Sequence, residues 1–244
     1  MRAMRGFRIV ILMFARLILI TALAGTSLAS SPQLPKSGNI ASPATITFTL
    51  DFPHSDPADY SITIDATGHA RFDCTGAVVP DSQPETYQSE FEVSPQSRER
   101  IFEWAKQANY FAGKLDSGNR KLAFTGTKVL SYEDSQHHNT AQYDYSNLPS
   151  VRQLTTFFQG MAATLEFGRR LAYYHRYQKL ALDDELKRME AQVRDNELSE
   201  LQSVVPVLQD IVNDNSVMNV ARARARELAQ LGNSGTVITG HNAR

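Results

Sequence analysis

At Pro149-Ser150 the hydrophobic period of the chain changes from two to about 3.6, and that switch constrains the fold more than any other feature of its 244 residues. Before it, apolar residues alternate with polar ones. In YSITIDATGHARFDC, Tyr60, Ile62 and Ile64 alternate with Ser61, Thr63 and Asp65, and the pattern resumes at Ala70, Phe72 and Cys74 after a break at Thr67-Gly68-His69. Alternation marks half-buried strands, and Gly68 supplies the positive φ of a tight turn, so a hairpin is predicted here. ITFTLDF puts Ile46, Phe48, Leu50 and Phe52 on one face of a further strand, and QSEFEVS alternates at Phe91 and Val93. KLAFTGTKVLSYE and TAQYDY, strand candidates on either side of the polar loop DSQHHN, complete the set. Gly126 inside the former reads as a bulge.

One helix interrupts this series. Ser94-Pro95 has the form of a cap followed by proline at the first helical position, and Ile101, Phe102, Ala105 and Ala108 carry the 3,4 spacing, with an end expected near Gly113. The expectation for residues 44–148 is therefore an α+β domain, a mostly antiparallel sheet with one packed helix.

After Pro149 everything reads as helix. Val151, Leu154, Phe158, Met161 and Leu165 form one stripe, which shifts near Phe167-Gly168 to Phe167, Leu171 and Tyr174, so the helix either bends there or turns a second face inward. LDDELKRMEAQVR carries Leu182, Leu186, Met189 and Val193, with Asp184-Arg188 and Glu190-Arg194 as expected i,i+4 pairs and an end at Asn196. Leu198, Leu201, Val205, Leu208 and Val212 make another stripe. Val217, Ala221, Ala225, Leu228 and Leu231 make the last, closed by Gly232 at the C′ position. Residues 149–232 are thus an all-α region, and 233–244 are expected to be a disordered tail.

Two resemblances follow from these residues. VVPVLQDIVNDNSVMNVARARARELAQLG is similar to one HEAT repeat over 201–232: a first helix containing Pro206, a turn at Asn213-Asp214-Asn215-Ser216, and a second helix with Val220, Arg222, Ala223, Ala225 and Leu228. Its valine and arginine, neighbours in the usual pattern, are separated here by Ala221. The sheet region resembles an uncharacterised domain of secreted bacterial proteins, a family that implies no activity.

The N-terminus indicates destination. Arg2, Arg5, Arg8 and Arg16 occur with no acid, followed by the apolar run Leu17–Ala24 and the small-residue end Ser27-Leu28-Ala29. That order is a secretory signal over 1–29, cut before Ser30, with a Pro-, Gly- and Ser-containing flexible leader over 30–43. Arg16 splits the longer run from Ile9 to Ala24 into halves too short to span a bilayer, so no transmembrane anchor is expected after cleavage. Met13 offers a more compact start. Loss of the four arginines lowers the basic count from 25 to 21 against 26 acidic side chains, a net charge of −5, which argues against nucleic acid as a partner. The lone Cys74 excludes an intramolecular disulfide. As an odd cysteine in an exported chain it is an intermolecular bridge, a reactive thiol or a buried small hydrophobe, and its inward position favours the last.

No G-x-S-x-G, HExxH, Walker, dinucleotide or paired CxxC motif occurs, and no cofactor is implied. The best constellation for chemistry is Glu133, Asp134, His137 and His138, where imidazole and carboxylate approach metal-ligand spacing. Adjacent histidines on extended backbone point to opposite sides, so at most one joins Asp134, and a solvated hairpin loop is the competing reading. Arg170, Tyr173, Tyr174 and Tyr177 concentrate aromatic rings and charge in a way suited to binding a protein partner, against the alternative that they roof the sheet. The run Arg222, Arg224, Arg226 reads as a solvated helix face. The resulting expectation is an exported, non-catalytic protein-interaction module of the cell envelope, in the periplasm or outside the cell. The alternative is a periplasmic hydrolase or metal-binding protein using the Asp134/His137/His138 loop.

Overall fold

Alternation before Pro149 becomes one six-stranded sheet. The computed structural model describes residues 43–234, apart from His54, Asp56, Asp81 and Arg120; the signal segment, the leader as far as residue 42 and the tail from residue 235 lie outside them. The strands are β1 Thr45–Asp51, β2 Asp59–Asp65, β3 His69–Gly76, β4 Glu85–Glu92, β5 Thr127–Glu133 and β6 His138–Tyr143. They lie in the order β4-β3-β2-β1-β5-β6, every neighbouring pair antiparallel. The opening hairpin is formed as expected, with Ile62 opposite Phe72 and Gly68 at φ 103°.

The helices are α1 Pro95–Gln107, α2 Pro149–Tyr177, α3 Leu182–Arg194, α4 Val205–Asn213 and α5 Asn219–Asn233. An antiparallel sheet with one packed helix, followed by an all-α region, is thus the architecture. One face of the sheet buries Ile46, Phe48, Ile62, Ile64, Phe72 and Leu130 against α1 and the first half of α2, where Phe158 stacks on Phe48 at 5.1 Å between centroids. The other face is hydroxyl-rich, with Thr47 bonded to Thr63 and Ser131 to Thr140. Past Leu165, α2 continues without a break and turns Phe167 and Leu171 into a second core shared with α3, α4 and α5. The shifted stripe is therefore a second inward face on one continuous helix. Among the described residues no helix is long and apolar enough to cross a membrane.

Several local expectations need correction. The first helix ends at Gln107, because Asn109, Tyr110 and Phe111 all adopt left-handed backbone (φ 52°, 51° and 65°). The strand predicted from Lys121 begins only at Thr127. Gly126, at φ 93°, precedes the strand, and any Cβ there would lie 2.6 Å from Phe52 Cβ, while Phe124 is left 57% exposed. Leu198–Val212 is not one helix: left-handed Glu200 and a 3-10 turn at Leu201–Val204 precede α4, with Pro206 in its first turn. Gly232 sits inside α5 rather than at a left-handed cap. A side chain there would collide with Val205 and the Leu201 carbonyl, so close packing selects the glycine. In α3 the expected pairs Asp184–Arg188 and Glu190–Arg194 give way to Asp183–Lys187 at 2.7 Å, Glu185–Arg188 at 2.9 Å and a Glu190–Arg224 link to α5. The Arg222–Arg226 run is correspondingly not a free solvated face: Arg224 donates to Asp183 and Glu190, and Arg222 to the Val212 carbonyl.

Candidate functional site

The β5–β6 hairpin ends in the pair Glu133–His138, so Asp134 to His137 form the turn between the strands. Asp134 Oδ1 accepts hydrogen bonds from the backbone N–H groups of Gln136 and His137, both at 2.7 Å, and the carboxylate oxygens lie 3.1 and 3.2 Å from His137 Nδ1. Strand alternation sends His138 the other way, to exposed Glu133 at 3.6 Å. His137 and His138 thus diverge, and only His137 joins Asp134. Among the described residues no group of three His, Cys, Asp or Glu side chains is placed to hold a metal ion.

What the loop does assemble is an aromatic wall that sequence reasoning missed. The left-handed turn at Asn109–Phe111 carries Tyr110 over the His137 ring, 4.3 Å between centroids, and beside Tyr132 at 4.8 Å; Asn139 Nδ2 fixes the turn by donating to the Tyr110 carbonyl. Left-handed backbone at non-glycine residues costs on the order of 1 kcal/mol or more each, and buried Phe111 beside Tyr132 helps to hold the turn. The Gln136 N–H, followed by the His137 N–H and the His137 and Tyr132 side chains, outweighs desolvation and brings the Asp134 carboxyl down to about 2. Burial, with Asp134 nearby, pushes the Tyr132 hydroxyl up to about 12.

A pH prediction follows with a definite sign. The folded-state pKa of Asp134 lies below the ordinary aspartate value of 3.8, so its contribution to stability is present above that value and is lost as pH falls toward about 2. In Asp134→Asn, the fall in melting temperature between those pH values is expected to be shallower than in the parent chain. Parallel curves would count against the ionised carboxylate as the clasp of this turn.

The second candidate lies at the C-terminal end of α2. Arg170 is only 8% exposed: its Nε donates to Glu185 Oε1 at 2.6 Å, and its guanidinium stacks on Phe167. It is an internal tie between α2 and α3 rather than a surface group. Tyr173 and Tyr174 are half-buried and in edge contact, whereas Tyr177 is 62% exposed, 5.1 Å from the Tyr173 ring and covered by Arg176. Leu180, 80% exposed, extends the patch. The helix end is held by Asp214, which accepts from His175 Nε2 at 2.9 Å and Lys179 Nζ at 2.5 Å; Lys179 also donates to Ser216 Oγ. Lys179 first, then Ser216 and His175, hold the Asp214 carboxyl far below the usual carboxylate range.

No family model matches the chain, and no curated protein matches it.

A third cluster had a visible sequence signal, Glu166 and Arg169 within the apolar stripe of α2. Cys74 Sγ donates to Glu166 Oε1 at 3.2 Å, and Arg169 reaches Glu166 at 3.6 Å, the Gly76 carbonyl at 2.9 Å and Glu85 at 3.2 Å. Burial, and then Glu166, raise the Cys74 thiol well above its ordinary value, so it stays protonated and unreactive.

Proposed function

We propose that this chain is an exported protein without a catalytic centre that binds a protein partner through the end of α2. The observation carrying this reading is the exposed pair Tyr177 and Leu180 beside half-buried Tyr173, on a helix end tied down by the Arg170–Glu185 bond and by Asp214. Rigid aromatic groups with an adjoining arginine bury much area at small entropic cost, as binding hot spots require. The α4–α5 pair behind the patch, with Pro206 and the turn Asn213–Ser216, is read as one HEAT-like unit supporting it. Export rests on the arginine-rich start, the Leu17–Ala24 run and the Ser27-Leu28-Ala29 end.

The test places a photo-crosslinking amino acid at position 177 of the chain expressed in its own cells, with position 142 on the edge strand β6 as control. A discrete crosslinked product from the envelope fraction at 177, absent at 142 and abolished by Leu180→Asp, supports the reading. Equal labelling at both positions would defeat it. The mature protein is expected to begin at or near Ser30, which N-terminal sequencing checks.

A further inference from the structure

Four of the nine exposed large apolar side chains among the described residues gather at one end of the sheet: Leu122, Phe124, Tyr145 and Leu148, each between 40 and 57% exposed. They stand on the connection that leads into β5 and on the turn that follows β6, and hydrogen bonds clasp these two segments together. Asp116 Oδ2 accepts from the Asp144 N–H at 2.9 Å, Asp144 Oδ1 from the Thr125 N–H at 3.2 Å, and the Tyr145 carbonyl from the Ser117 N–H at 2.7 Å. The buried Lys128 ammonium completes the clasp, donating to the Thr125, Gly126 and Asp144 carbonyls at 3.0 to 3.1 Å. The backbone is therefore held while its apolar side chains stay in solvent. Around them Lys114, Lys121 and Arg152 are exposed. Asp116 and Asp144 belong to the clasp, where the Asp144 N–H and then the Gly118 N–H draw the Asp116 carboxyl below its ordinary value; Asp51 and Asp59 lie by alternation on the hydroxyl-rich face.

We propose that this end of the sheet docks on an anionic lipid surface, with Leu122 and Phe124 entering the interfacial layer and Lys121 and Arg152 meeting its phosphates. Apolar and aromatic side chains rimmed by Lys and Arg are the composition of groups that lie in a membrane interface without spanning it. A fluid layer needs no complementary groove. The cleft beside these side chains, about 250 Å³, is walled by Asp116 and Asp144 as well as Phe124 and offers a peptide no purely apolar slot. With an acidic balance over the mature chain, attraction to anionic lipid depends on a local surplus of cations of this kind. The clasp adds rigidity, so the exposed side chains enter the layer without the segment having to order first.

The experiment uses the chain from Ser30, which keeps every described residue and removes the apolar signal run as a competing anchor. In flotation with vesicles, binding is expected to phosphatidylcholine mixed with phosphatidylglycerol, and to weaken on phosphatidylcholine alone and in high salt. Leu122→Ser is expected to weaken binding about tenfold. Lys121→Glu is expected to weaken it about fivefold or more, on the anionic vesicles only. Circular dichroism confirms that both variants keep the fold, and Tyr177→Ser, on the α2 patch, is expected to bind vesicles like the parent chain. A polarity-sensitive fluorophore on Leu122→Cys, for which buried Cys74 does not compete, is expected to shift to the blue on anionic vesicles. Absence of flotation with anionic vesicles overturns the proposal, as does flotation that Leu122→Ser and Lys121→Glu leave unchanged. Self-association of the chain that Leu122→Ser abolishes would make a second copy the occupant in place of lipid.

Discussion

Arg169→Met is expected to destabilise the fold by about 3 to 5 kcal/mol, measured by urea unfolding, because it leaves the Glu166 carboxylate buried without a cation. Both side chains are almost fully enclosed, and Arg169 joins α2 to the Gly76 carbonyl and to Glu85 on β4. Its own Nε has no acceptor among the described residues, so the pair is imperfectly satisfied even in the parent chain. A buried ion pair in that state contributes little net stability, yet removing one member is costly. The Glu166→Gln/Arg169→Met double variant is therefore expected to recover at least half of the loss, since a neutral amide carries no buried charge. A cost below about 1 kcal/mol for the single variant would mean that water reaches Glu166 and that the cluster is not the lock between sheet and helix.

Ending the chain at Asn196 is expected to produce a species that self-associates and melts at lower temperature than the parent. Leu182, Leu186 and Met189 on α3 have no solvent exposure in the intact fold, and their partners Leu201, Leu208, Ile211, Ala225 and Leu228 lie beyond the cut. Exposing each of the three removes about 1.5 to 3 kcal/mol of burial. Polar ties leave with the apolar layer, among them Glu200 to the Ser94 N–H at the start of α1, Ser199 to the Gly160 carbonyl, and Arg224 to Asp183. A peptide covering residues 198–232 is expected to be poorly helical in water, since two short helices cannot bury a face without α2 and α3. Light scattering and circular dichroism check both halves. A monomeric truncation with unchanged melting temperature, or a peptide with a cooperative transition, would show that the second core is not shared.

The candidate sites were legible only in part. Divergence of His137 and His138 follows from strand geometry and was readable from their adjacency, because successive side chains of extended backbone point apart. Tyr110 was not readable as their neighbour: it lies 27 residues earlier and reaches His137 through three left-handed residues that carry no glycine signal. Arg170 and Tyr177 looked alike as members of one aromatic-basic run. Burial separated them, since Glu185 on the next helix claims Arg170, whereas Tyr177 stays 62% exposed.

By itself the sequence determined what depends on near neighbours. Periods of two and 3.6, the Ser94-Pro95 cap, Gly68 in its turn and the limits of α3 are set by backbone sterics and by which face of an element must leave water, so a few residues suffice to read them. Only the tertiary structure decided what depends on distant chain segments meeting. Glu200 finds Ser94 across more than a hundred residues, Arg224 draws Glu190 away from Arg194, and Gly232 is glycine because Val205 lies against it rather than because the helix ends there. A charge or a glycine has several local uses of similar free energy, and the choice among them falls to whichever partner the fold places within about 3 Å.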